Sequence, residues 1–160
     1  MPKIPNRIVL DTNVCLDLFV FHDVVVVELH ALLRSEAWQA VTNPACRDEW
    51  VRVLGYPQLA LEVSQQAAAL QAFDEVVQMV PERPSASDDV RLPRCADPDD
   101  QKFLELAWAS GAGWLLSKDN EVLQLAKRAA RDALFRIATP AEWQAAWLSS
   151  TSSGNSPKDR

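Results

Sequence analysis

The apolar positions fall into short runs separated by polar caps and turns. Residues 7–10 read as a short buried strand, in which Ile8, Val9 and Leu10 form an unbroken apolar stretch ending at Asp11. Residues 14–20 continue as a helix. His22-Asp23 then offers a cap for a second helix over residues 24–34, although its four consecutive valines suit a strand equally. Residues 38–42 give another strand candidate. Asn43-Pro44 is a cap followed by proline at the first helical position, opening a helix to about Leu54 that Gly55-Tyr56-Pro57 stops. Residues 64–80 read as one long helix, with apolar residues at 67, 70, 73, 76, 77 and 80.

The segment PERPSASDDVRLPR, residues 81–94, has three prolines and little apolar content, so it reads as a loop. After it, Asp97-Pro98 opens a helix that ends at Gly111. A strand at 114–116, a helix at 120–130 and a strand at 135–138 follow. Thr139-Pro140 caps a last helix to Leu148. The tail, SSTSSGNSPKDR at 149–160, has no apolar residue and is expected to be disordered. Strands alternating with helices predict one domain over residues 1–148, an α/β sandwich with a mainly parallel central sheet. Such sheets carry their sites at the carboxyl ends of the strands, near a change in strand order.

Composition narrows the class. The chain has 160 residues, 48% of them hydrophobic and 24% charged, as expected of a soluble globular protein. No signal peptide is evident. The most apolar stretch, residues 19–27, contains His22 and Asp23 and is too short for a bilayer, so no membrane association is expected. Cys15, Cys46 and Cys95 are odd in number and widely spaced. They fit neither a disulfide framework nor a zinc site, and predict reduced thiols in the cytoplasm. A net charge of −6 weighs against a broad basic nucleic-acid face. A divalent ion shared by several carboxylates would reverse the local field and remove most of that objection.

The carboxylates are not equivalent. Asp11 and Asp119 each follow a predicted strand, on the edge where a site belongs, but either also suits a helix cap. In the helix opened at Pro98, about 100° per residue puts Phe103, Leu104 and Ala107 within about 60° of Asp100. Asp100 thus points into the apolar face, where an unpaired carboxylate is costly. Asp99 lies at the margin, and Asp97 is placed to cap. Glu49 shares a face with Ala45, Cys46 and Val53. It wants a cation or a hydrogen-bond partner; an arginine such as Arg52 or Arg7 is the plain alternative to a ligand role. A sulfur-free and histidine-free set of oxygens suits Mg2+ or Mn2+ and not zinc, and such clusters support phosphodiester hydrolysis.

DTN at 11–13, Glu49 in RDEWVRVL, ADPDDQKFLELA at 96–107 and LLSKD at 115–119 together resemble the PIN domain family. The likeness runs from about Ile8 to Trp143 and is greatest to the branch of bacterial toxin–antitoxin toxins. It implies a Rossmann-like three-layer α/β/α sandwich and a metal-dependent ribonuclease. The implied quartet is Asp11, Glu49, Asp100 and Asp119, as catalytic residues and ligands of Mg2+ or Mn2+, with Asp100 orienting the attacking water. Asp97, Asn13, Ser117 and Thr12 fall where the family places supporting polar groups or an extra ligand. Lys118 departs from the pattern, standing where a small residue is frequent; it either contacts a phosphate or faces solvent. Implied partners are RNA, a cognate antitoxin and a second copy of the chain.

Substrate contacts from Arg47, Arg52 and Lys118, or base stacking on Trp50 or Trp114, stand beside plainer roles in ion pairs and core packing. Lys127, Arg128 and Arg131 equally suit a helix end. Two other readings have less support than the nuclease. A haloacid-dehalogenase-type phosphotransferase needs an acid two residues after the first aspartate, where this chain has Asn13. A non-catalytic PIN-like scaffold binding RNA or protein would be marked by loss of an acidic ligand, and none of the four is lost.

Overall fold

Five short strands set the architecture: β1 (Ile4–Leu10), β2 (Gln39–Thr42), β3 (Val77–Met79), β4 (Ala112–Leu116) and β5 (Arg136–Ala138). They form one sheet in the order β3-β2-β1-β4-β5, and every pairing is parallel. The strand order reverses beside β1, so the switch point lies between β1 and β4. This is a computed structural model, and it describes residues 4–81 and 91–154. Most of the proline-containing loop, with Asp88 and Asp89, and the last six residues of the tail lie outside the described residues.

The strands are apolar on both sides because both sides are covered by helices. Ile8, Leu10, Ala40 and Leu116 face one core, packed by α1 (Thr12–Leu16), α2 (Val27–Arg34), α3 (Pro44–Leu54), α4 (Val63–Val76) and the last helix. Val9, Val41, Leu115 and Ile137 face the other, packed by α5 (Gln101–Ala109), α6 (Asn120–Leu123) and α7 (Ala126–Arg131). The result is the expected three-layer α/β/α sandwich. The last helix, α8 (Pro140–Gly154), is capped by Thr139 as expected, in a reciprocal pair with Glu142: Glu142 N–H donates to the Thr139 hydroxyl and Thr139 N–H to the Glu142 carboxylate.

Four local expectations need correction. The helix over 64–80 stops at Val76, and Val77–Met79 becomes the edge strand β3. Phe73, Val76, Val77 and Val80 satisfy helical spacing, so periodicity could not reveal that Val77 pairs with Ala40. The helix over 120–130 is broken by a tight Leu125 N–H to Val122 C=O bond into α6 and α7. The first helix passes into a π-helical turn, Asp17–Phe21, closed by His22 at φ 50°, and Val24–Val26 is a 3-10 turn ahead of α2. Finally, α8 overruns its expected end at Leu148 and continues to Gly154.

Gly111, at φ 71°, ends the turn after α5 in a conformation that disfavours other residues. Gly113 matters for space: a Cβ there would lie 2.7 Å from the Pro5 carbonyl oxygen, beside a register shift between β1 and β4. Gly113→Ala is expected to cost about 1–3 kcal/mol, as overpacking against backbone does. Urea unfolding of the two proteins measures it, and an unchanged midpoint would show that β1 yields freely.

Candidate active site

The register of the two central strands builds the site. Leu10 pairs with Leu116, and Asp11 N–H donates to the Leu116 carbonyl at 2.9 Å, so the next residue of each strand meets its neighbour. The Ser117 hydroxyl donates to Asp11 Oδ2 at 2.7 Å. Asp11 caps α1 through a Thr12 N–H bond to Oδ1, and the Asn13 amide reaches Oδ2 at 3.4 Å. Asp11 is buried, 4% exposed. Burial pushes its carboxyl up, the Ser117 and Thr12 bonds pull it down, and the charges of Glu49 and Asp119 raise it further.

Asp119 follows β4 and caps α6, accepting from Glu121 N–H at 2.9 Å, while its own N–H donates to the Ser117 hydroxyl. Capping and membership of the acidic group are therefore compatible. Asp97 caps the 3-10 turn Pro98–Asp100 by accepting from Asp99 N–H at 3.0 Å, and Asp99 is exposed. Asp100 sits where that turn hands over to α5, whose Phe103, Leu104 and Ala107 are buried. Asp100 itself is half-buried, and its backbone is a 3-10 turn, tighter than the α-helix expected there. Burial raises the Asp100 carboxyl to about 7, helped by the charges of Asp11, Asp97 and Asp119 and by a hydrogen bond with Asp119.

Glu49 joins the group differently. On α3 its neighbours Cys46, Trp50 and Leu54 are buried, and its carboxylate comes to the Thr12 hydroxyl, which donates to Oε2. Oε1 accepts from Lys102 Nζ at 2.6 Å. The ion pair weighed for Glu49 does form, but with Lys102 of α5 and not with Arg52 or Arg7. Arg7 instead donates to Gln39 and to the Ser110 carbonyl. Lys118 also has an unforeseen partner: its ammonium is 2.7 Å from the buried Asp17 carboxylate, and its N–H donates to Asn13 Oδ1. Sequence reasoning missed Lys102 and Asp17. The one available signal was that Lys102 lies in the turn after Asp100.

Among the described residues, no group of three or more acidic, histidine or cysteine side chains is placed to hold a metal ion as it stands. Nor do Asp11, Asp100 and Asp119 have an ammonium or guanidinium within ion-pair reach among those residues. The donors are hard oxygens, and the raised Asp11 and Asp100 carboxyls reflect burial and crowded negative charge without a counter-charge. That chemistry fits a divalent ion of the Mg2+ type.

Other candidates fall to structural roles. Trp50 is 1% exposed and stacks on Phe73, so it offers no face to a base. The Arg136 guanidinium covers Trp114 at 4.2 Å. Arg47 forms a two-point pair with Asp74. The three thiols are free and buried, and burial pushes each upward, Cys46 to about 12. A cleft of about 800 Å³ lined by Arg34, Trp38, Asp74 and Gln78 lies at the amino ends of β2 and β3, across the sheet from the acids.

The Asp100 carboxyl makes a stability prediction for the metal-free protein. Its ordinary value is 3.8, so between about pH 4 and 7 the unfolded chain ionises while the folded chain resists. Ionisation therefore penalises the fold increasingly as pH rises, fully above about 7. In EDTA, Asp100→Asn should gain melting temperature over wild type at pH 7.5 and lose that gain near pH 4. A pH-independent difference would contradict the burial of this charge.

The family model of the PIN domain matches residues 7–121, from the strand that leads to Asp11 to just past Asp119. No curated protein matches the chain. A match over more than half of the sequence, on a sheet whose switch point gathers these acids, identifies the chain as a member of the PIN domain family.

Proposed function

We propose that the chain is a divalent-metal-dependent endoribonuclease that hydrolyses RNA phosphodiester bonds. PIN domains are generally nucleases, which supports hydrolysis at a coarse level. The observation that carries the finer reading is the meeting of Asp11, Asp100 and Asp119 at the switch point without a basic partner among the described residues. These three would hold Mg2+ or Mn2+, which when bound polarises the phosphate and lowers the pKa of a water. Asp100 would orient that water for attack. Ser117 and Thr12 N–H hold Asp11 in one rotamer, so the carboxylate is ordered before ligand arrives. The buried, protonated thiols have no nucleophilic part.

The toxin role is a proposal of the same kind. It calls for an antitoxin, and the exposed apolar run of Phe21, Val24, Val25 and Val27 is the surface we offer for that partner or a second copy of the chain. Among the described residues, no helix is long and apolar enough to cross a membrane. The scaffold reading draws on Glu49, whose two oxygens are taken by Thr12 and Lys102. A fluorophore-quencher RNA separates the readings. The purified protein should cleave it with Mg2+ or Mn2+ and stop with EDTA; metal-independent RNA binding without cleavage would favour the scaffold.

A further inference from the structure

The four carboxylates divide into two electrostatic groups. Asp11, Asp100 and Asp119 lack a counter-charge among the described residues, whereas Glu49 has one built into the chain. Lys102 Nζ is fixed at both ends of its reach, donating to Glu49 Oε1 at 2.6 Å and to the Asp99 carbonyl at 2.8 Å. The pair is largely withdrawn from water, with side-chain exposures of 22% for Lys102 and 15% for Glu49. An ion pair this sheltered is not easily exchanged, because separating it would leave a desolvated charge on each side. The remaining Glu49 oxygen is held by the Thr12 hydroxyl, whose own N–H binds Asp11. Glu49 and Lys102 are thus joined rigidly to the rest of the site by one residue.

Resting on the nuclease reading, we propose that Lys102 takes the place of a second cation, so that the site binds a single divalent ion at Asp11, Asp100 and Asp119. Glu49 is then the counter-anion that positions the Lys102 ammonium and is not itself a metal ligand. The ammonium supplies fixed positive charge on the α3 side of the site, the kind of charge that a second metal ion supplies in a two-ion nuclease. A lysine suits this role, since its ammonium is a compact charge on a flexible stem with three donors. Two of those donors are accounted for, leaving one for a phosphate oxygen.

The stoichiometry of Mn2+ binding to the full chain, followed by calorimetry and by the electron paramagnetic signal of free Mn2+, tests this without reference to activity. Wild type should bind one Mn2+ per chain, and so should Lys102→Arg. Lys102→Met, which keeps the stem and frees Glu49, should bind two; Lys102→Gln provides a neutral alternative if the methionine variant folds poorly. Adding Glu49→Gln to Lys102→Met should restore one. Two ions in wild type, or one in both neutral variants, would overturn the proposal while leaving the nuclease reading intact if RNA is still cut. No Mn2+ bound by any form would overturn both.

Discussion

Asp100→Asn is expected to lower RNA cleavage by more than about a hundredfold, while Asp99→Asn stays within about twofold of wild type. Loss of groups that merely support a metal ligand costs about 10–100-fold, so loss of a ligand that also orients water should cost more. Asp99 is exposed, and among the described residues only its backbone is used, its N–H by Asp97 and its carbonyl by Lys102. Exposed substitutions of that sort change free energies by about 0.5 kcal/mol or less. The contrast is informative because the two aspartates are adjacent, yet one is exposed and the other half-buried. Asparagine also removes a carboxyl whose ionisation is opposed by burial, so the inactive variant should fold at least as well as wild type. Single-turnover cleavage with a melting curve for each protein decides it. An inactive Asp99→Asn beside an active Asp100→Asn would invert the assignment.

Trp143→Ala should be the most destabilising single change. Trp143 is fully buried, at 0% exposure, and its ring meets Trp38 edge-on at 5.1 Å, with Trp147 also edge-on to Trp38 at 5.7 Å. Trp38 leads into β2, so this cluster ties α8 to the sheet beyond the last residue of the family match. Truncating a buried tryptophan costs about 3–5 kcal/mol. In a domain of this size that lowers the melting temperature by about 6–20 °C. Its indole N–H has no hydrogen-bond partner among the described residues. Trp143→Phe therefore forfeits no hydrogen bond, and its smaller loss should report packing alone. A shift of under about 2 °C in the alanine variant would mean that α8 is detachable.

Some parts of this molecule were more legible in the sequence than others, for physical reasons. Asp11 and Asp119 could be placed because an acid that ends a short apolar run falls at the carboxyl edge of a parallel sheet, where sites form. Asp100 was set apart from Asp99 by the rotation of about 100° per residue of a helix; in the structure both lie in a 3-10 turn, with Asp99 exposed and Asp100 half-buried. The edge strand β3 was hidden, since its three residues share their spacing with the helix before them. The pairings Lys102–Glu49 and Lys118–Asp17 join residues 53 and 101 positions apart, and no local pattern specifies which cation will reach which carboxylate. Trp50 looked like a candidate for base stacking only until the sheet and α4 closed over it.

A metal-dependent ribonuclease working through the acids at the β1–β4 switch point is best checked on one labelled RNA, comparing wild type with Asp11→Asn across Mg2+, Mn2+, Ca2+ and EDTA. Asp11 is nearly enclosed and held by Ser117 and Thr12, so asparagine fits the same space. Wild type should cut with Mg2+ or Mn2+ and be silent in EDTA, and Asp11→Asn should be silent in every ion with its fold intact. Equal cleavage by the two proteins, or cleavage by wild type that survives EDTA, would contradict this assignment.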